Sequence, residues 1–232
     1  MATRNGPLSA DILITHTHWD HIQGLPFFKP LSAPGNAFRV YGAAQDGIPL
    51  ESILRRQMDP MVFPIPLEAF AATIEVREIV EGTLELPEFH VTSFRLRHPG
   101  TTLGFRITPK SEGHDVAYVT DNELGPGGTY PVPSDWRATL VKVLSGTHTL
   151  VHDAMYSDQI IDARRGWGHS TPRQAVDLAA EAGIRNLVLF HHEPEHGDDA
   201  VDAMLRDTRD YARGIAPGLS IEAAAEGGTF SL

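Results

Sequence analysis

No cysteine occurs anywhere in the 232 residues. That excludes a disulfide framework and thiolate metal ligation, and it fits a reducing compartment such as the cytoplasm. No stretch approaches the roughly 20 apolar residues of a membrane span. The opening MATRNGPLSAD holds no apolar run of signal-peptide length. No block of lysine and arginine stands out either. Arg55–Arg56 and Arg164–Arg165 are isolated pairs, and the formal net charge is −11. Phosphate contacts dominate the affinity for long nucleic acid, so this balance favours a small substrate over a polymer. Internal repeats and low-complexity linkers are absent from the sequence as well. The chain is long enough to bury a sizeable core without staples, and one domain over 1–232 is expected.

What is present reads as strands early and alternating helices and strands late. Asp11–Thr15, Phe38–Tyr41, Thr73–Val80 and Phe89–Arg97 have β-branched or alternating character. Leu103–Thr108 and Asp115–Thr120 look like a hairpin across PKSEGH. Leu150–His152, Asn186–Phe190 and Leu219–Ala223 are short apolar runs. Helices are predicted over Ile48–Met58, Ser134–Leu144, Thr171–Ala182 and Asp198–Ile215. The third has Ser170 or Thr171 as cap, Pro172 in its first turn and Gly183 as stop. The pattern implies an α/β (α+β) fold with helices covering sheets.

THTHWDH, residues 15 to 21, then demands an account. Residues two apart in an extended segment share a side, so His16 and His18 can grip one ion. A turn after Trp19 would swing Asp20 and His21 toward a second. Imidazole and carboxylate suit zinc, manganese or iron. Other segments repeat the arrangement of an apolar strand ending on a metal-binding side chain. FRLRHPG ends on His98, LVHDAMY on Asp153, and LVLFHHEP on His191 with His192 as the alternative. In layered α/β folds that rim is where sites are built. GWGHSTP places His169 and Ser170 in a glycine-flanked loop just before a helix, where the backbone favours an anion. Turn capping explains Asp121 in YVTDNE, and His90, His114, His148 and His196 read as bystanders. Asp158 and Asp162 read as solvated helix charges. Trp19 and Trp167 flank the ligand candidates and could stack a base, and Pro26–Phe27–Phe28 is expected to pack beneath the metals.

HxHxDH at 16–21, His98, Asp153, GHST at 168–171 and His191 together resemble the metallo-β-lactamase superfamily. They look most like its phosphodiesterase branch, which includes the RNase Z-type tRNA 3′-processing endonucleases and cyclic-nucleotide phosphodiesterases. The resemblance implies a four-layer αββα sandwich. It implies His16, His18 and His98 on one metal, Asp20, His21 and His191 on a second, and Asp153 bridging both. Asp20 would also belong to the catalytic set. His169, with Ser170 beside it, would meet the substrate phosphate, and His169 would act as general acid. Two divalent ions, zinc first with manganese or iron compatible, would share the attacking hydroxide. The resemblance further implies strands ahead of HxHxDH. Here residues 1–10 alone precede the first ligand strand. A sheet lacking some N-terminal strands is therefore expected, its edge covered by a second copy in a homo-oligomer such as a dimer. No arm rich in glycine, lysine and arginine for gripping tRNA is evident.

The expected activity is hydrolysis of a small phosphodiester, such as a cyclic nucleotide. Hydrolysis of a lactone, ester or β-lactam is the alternative within the fold. An inactive metal-binding scaffold is the alternative outside catalysis.

Overall fold

The computed structural model describes residues 6–230. The chain divides into two compact units, residues 1–80 and 81–232.

In the first unit, β1 (Ser9–Leu13), the short helix α1 (Trp19–Ile22), β2 (Ala37–Gly42), α2 (Leu50–Gln57) and β3 (Thr73–Glu78) follow one another. The strands form a parallel sheet in the order β1-β2-β3. The register sets Ile12 opposite Val40 and Asp11 opposite Arg39. That pairing lets the Arg39 guanidinium donate to both Asp11 oxygens, at 2.6 and 2.8 Å. Helix α2 is amphipathic. Leu50 and Leu54, with Met58 just beyond it, join Ile14, Val40 and Leu67 in the core, while Arg55 pairs with Glu51 one turn back. Strand β1 lies two residues earlier than the apolar run Asp11–Thr15 suggests, because its ladder partners end at Tyr41. Ile14 still donates to the Tyr41 carbonyl, and the chain leaves the sheet from there. THTHWDH therefore begins where the ladder stops.

The second unit opens with β4 (Gly82–Glu85), β5 (Phe89–Arg95), β6 (Leu103–Pro109) and β7 (Val116–Val119). Then come α3 (Trp136–Leu144), β8 (Thr149–Asp153), α4 (Pro172–Ala182), β9 (Asn186–Phe190), α5 (Asp198–Ala212) and β10 (Ser220–Ala223). One seven-stranded sheet runs β10-β9-β8-β7-β6-β5-β4. Its first three neighbour pairs are parallel and its last three antiparallel. Strand β4 escapes the sequence reading because four mostly exposed residues carry little periodicity. The core gathers Val119, Leu150, Leu187 and Leu189 from the strands with Leu140, Val176, Leu178 and Ala179 from the helices.

Strand direction positions the chemistry. Strands β7, β8 and β9 are parallel, with Val119, His152 and Leu189 in register. Strand β5 is antiparallel to β6, which is antiparallel to β7, so β5 points the same way. The residues after these four strands, near His98, Asp121, Asp153 and His191, thus emerge along one edge of the sheet. Helix α4 starts close by. Thr171 accepts from the Gln174 amide while the Gln174 side chain accepts from Thr171, and Gly183 at φ +69° ends the helix.

Candidate metal centre

The first unit carries the imidazole cluster of residues 16–21. His16, 2% exposed, has its ring centroid 4.6 Å from that of His18 and 4.2 Å from that of His21. The Thr15 hydroxyl lies 3.2 Å from His16 Nδ1. The turn expected after Trp19 is helix α1, with the His18 carbonyl accepting from the His21 amide. It sets Asp20 Oδ2 3.1 Å from His21 Nε2.

The second unit brings four donor residues together. Single ligand atoms of Asp121, Asp153, His169 and His191 all lie within 4.8 Å of one another. Asp121 is 2% exposed. Its Oδ2 stands 3.6 Å from His98 Nε2 and its Oδ1 3.4 Å from His191 Nε2. Two ligands each 2.0–2.1 Å from a tetrahedral zinc lie about 3.4 Å apart, so these separations suit a shared cation. Asp121 and His191 both adopt left-handed backbone, φ +48° and +59°. Neither is glycine, and strain of this kind persists only where the surroundings enforce it. His98 donates from Nδ1 to the Gly168 carbonyl at 3.0 Å, which leaves Nε2 as the nitrogen facing Asp121. A buried set of imidazoles and carboxylates at these spacings fits a divalent cation.

Asp153, to which the resemblance gives the bridging place, belongs to the same donor group, and its oxygens also meet protein donors. Its Oδ1 accepts from the Met155 and Ser170 amides, at 3.1 and 3.0 Å. Its Oδ2 accepts from His169 Nδ1 at 2.6 Å. Protein donors reach both oxygens, and the carboxylate paired with the His98 and His191 nitrogens is that of Asp121. The turn-cap reading of Asp121 is corrected accordingly. A signal was there: YVTD is another apolar run ending on a ligand type where the chain leaves the sheet.

Ser170, expected beside the substrate, has its hydroxyl engaged within the protein. Its hydroxyl donates to the Asn122 carbonyl at 2.5 Å and accepts from the Leu124 amide at 3.1 Å, so it ties one turn to another inside the protein. His191 faces Asp121, whereas His192 lies outside the donor groups and burial lowers its pKa. Phe27 is 74% exposed and meets the Phe63 ring edge-on at 5.4 Å, rather than packing beneath the metal ligands.

Several other side chains are engaged elsewhere. His90 pairs with Glu85, His114 stacks on His148, Asp158 pairs with Arg173 and Asp162 with Arg165. Trp167 is 54% exposed, and the Arg164 guanidinium covers its ring at 4.6 Å. Tyr156 is buried, with its ring edge-on to His169 at 5.5 Å.

The α/β fold and the buried imidazole–carboxylate groups define a metal-dependent hydrolase. Residues 3–192 match the family described as the Beta-lactamase superfamily domain. The chain belongs to the metallo-β-lactamase superfamily. It is similar to the ribonuclease Z of Exiguobacterium sibiricum, 26% identical over 226 residues that cover 81% of this chain and 72% of that protein. Among solved structures, yeast PDE1 matches at a TM-score of 0.72 and 15% identity, covering 96% of this chain and 68% of its own. Human tRNase Z, short form, matches at 0.59 and 23%, covering 92% and 75%. At those identities the two structures show the shared fold, and the α/β class is the one the motifs imply. Among the described residues, no helix is long and apolar enough to cross a membrane.

Proposed function

We propose that this chain is a dinuclear metal-dependent phosphodiesterase acting on a small substrate such as a cyclic nucleotide. His16, His18 and His98 are assigned to one divalent cation, and Asp20, His21 and His191 to the other. Asp121 is assigned between them, in place of Asp153. Zinc is the first choice, and manganese or iron accept the same donors. Cations so held supply Lewis acidity and a water acidic enough to react near neutral pH.

The observation that carries the reading is the His169 imidazole, held by Asp153 within the cluster that includes Asp121 and His191. With Nδ1 donating to Asp153, the ring's tautomer and orientation are set, and Nε2 is the atom assigned to substrate. Protonated there, it donates to a phosphoryl oxygen or to the leaving alkoxide. A histidine in that role suits phosphodiester cleavage better than lactone or β-lactam opening. Trp167, exposed on the same loop with Arg164 across its ring, offers a face for a nucleobase.

A second reading, cleavage of an RNA 3′ end, is favoured by the relative named ribonuclease Z. The net charge of −11 favours the small substrate. A homo-oligomer belongs to the same proposal. Strand β1 lies at an edge of its sheet among the described residues, and a second copy would cover it. A cytoplasmic location accords with the absence of cysteine.

The test is parallel turnover of bis(p-nitrophenyl) phosphate, cyclic mononucleotides, a lactone and a precursor tRNA by zinc-loaded protein. Preference for the cyclic nucleotide is expected. Preference for the precursor tRNA would replace the small-substrate reading. Lactone turnover without phosphodiester turnover, or bound metal with no turnover at all, would overturn the reading.

A further inference from the structure

Glu123 is buried two residues beyond Asp121, and its carboxylate is used on one side alone. Glu123 is 2% exposed. Its Oε2 accepts from the Tyr130 hydroxyl at 2.5 Å, the Gly166 amide at 2.8 Å and the Gly168 amide at 3.0 Å. Its Oε1 is buried with no hydrogen-bond partner. Three donors converging on one oxygen mean that Glu123 fixes where the Gly166 and Gly168 amides sit.

The Gly168 peptide carries the consequence. Its N–H is held by Glu123, while its carbonyl accepts from His98 Nδ1. The next residue is His169. One peptide therefore orients a proposed metal ligand and precedes the imidazole proposed to meet substrate. Glycine is required there: φ is +89°, and an added Cβ would stand 2.0 Å from His98 Nδ1. The turn of Glu123 is itself anchored to the strand end bearing His98. Its amide donates to the Arg97 carbonyl at 2.8 Å, and the Arg97 amide donates to Asn122 Oδ1 at 3.0 Å.

We propose that Glu123 is a positioning residue which, through the Gly168 peptide, sets the His98 and His169 imidazoles in place together. The inference rests on the assignment of His98 and His169 above, but its first readout does not. What matters is the reach of an acceptor oxygen, not charge. Glutamine, which can present its carbonyl oxygen to the same donors, should replace Glu123. Aspartate, one methylene shorter, should not.

The experiment uses the full chain as Glu123→Gln, Glu123→Asp and Glu123→Ala, with Tyr130→Phe as control. Exchange of the Gly166 and Gly168 amides is followed by NMR. Zinc affinity is measured against a chromophoric chelator, and kcat and KM with bis(p-nitrophenyl) phosphate. Glu123→Asp and Glu123→Ala should expose both amides to exchange, weaken zinc about 10–100-fold and lower kcat with KM little changed. Glu123→Gln and Tyr130→Phe should stay near wild type. If Glu123→Ala does not fold, the contrast between aspartate and glutamine decides the matter. Aspartate as good as wild type, or both amides still protected in Glu123→Ala, overturns the inference. Should the wild type turn over no phosphodiester, amide exchange and zinc affinity still decide it, so its failure is separable from that of the proposed activity.

Discussion

His169 Nδ1 donates to Asp153 Oδ2 across 2.6 Å, and that contact gives the aspartate its work. Asp153 and Asp121 follow neighbouring parallel strands and leave the sheet at the same edge. Their surroundings divide them. The first is enclosed by N–H donors, while the second stands against two imidazole nitrogens at 3.4 and 3.6 Å. Orientation of an imidazole by a carboxylate and retention of a cation are separate tasks, and variants should separate them.

Asp121→Asn is expected to lose metal, because a neutral amide is a poor ligand between two cations. Asp153→Asn should keep its metal and lose kcat, since an amide can present its N–H to His169 and disturb the ring. Metal content by mass spectrometry beside kcat checks this. The opposite pattern would return the bridging role to Asp153.

His169→Ala should lower kcat by about 10²–10⁴-fold, the usual contribution of a positioned general acid, with metal content unchanged. Loss of metal, or wild-type hydrolysis of a phosphodiester, would remove His169 from its assigned role.

Gly168→Ala should weaken zinc binding by about 10–100-fold, the usual cost of disturbing a ligand's partner. The left-handed backbone and the contact with His98 both reject a methyl group. Gly183→Ala, also at positive φ but with open space around its Cβ, provides the control. It should cost stability without moving zinc affinity.

Metal removal should lower the melting temperature, because a ligand that binds only the folded chain stabilises it. Histidine must be neutral to ligate, so zinc affinity should fall as pH drops through about 6.5, the ordinary imidazole value. Calorimetry with and without a strong chelator, at neutral and acid pH, measures both effects. An unchanged melting temperature at neutral pH counts against a structural share for the metal.

Burial, reinforced by the Asp121 charge, pushes the Tyr118 hydroxyl up to about 12. An unfolded tyrosine ionises near 10. Between those values the folded chain holds the proton more tightly, so Tyr118 contributes its full stability below pH about 10 and loses it as pH rises toward about 12. Absorbance titration at 295 nm should lose a tyrosine ionising at about 12 in Tyr118→Phe, while Tyr130, which burial and Glu123 push higher still, titrates later in both proteins. An unchanged titration in that variant would remove the assignment.

The α/β class, most strands and helices, the Thr171 cap and the imidazole-rich segments were all legible in the amino-acid order. Local periodicity, capping chemistry and clustered ligand types depend on near neighbours. Strand β4 was too short and too exposed to show a period. Which aspartate faces His98 and His191, the inward use of Ser170 and the grip of Glu123 on Gly168 came only from tertiary structure. Each depends on residues between 23 and 70 positions apart. YVTD and LVHD look alike as strings. What tells their carboxylates apart is the company each keeps once parallel strands are laid side by side, and sheet register, set by packing over the whole unit, decides that.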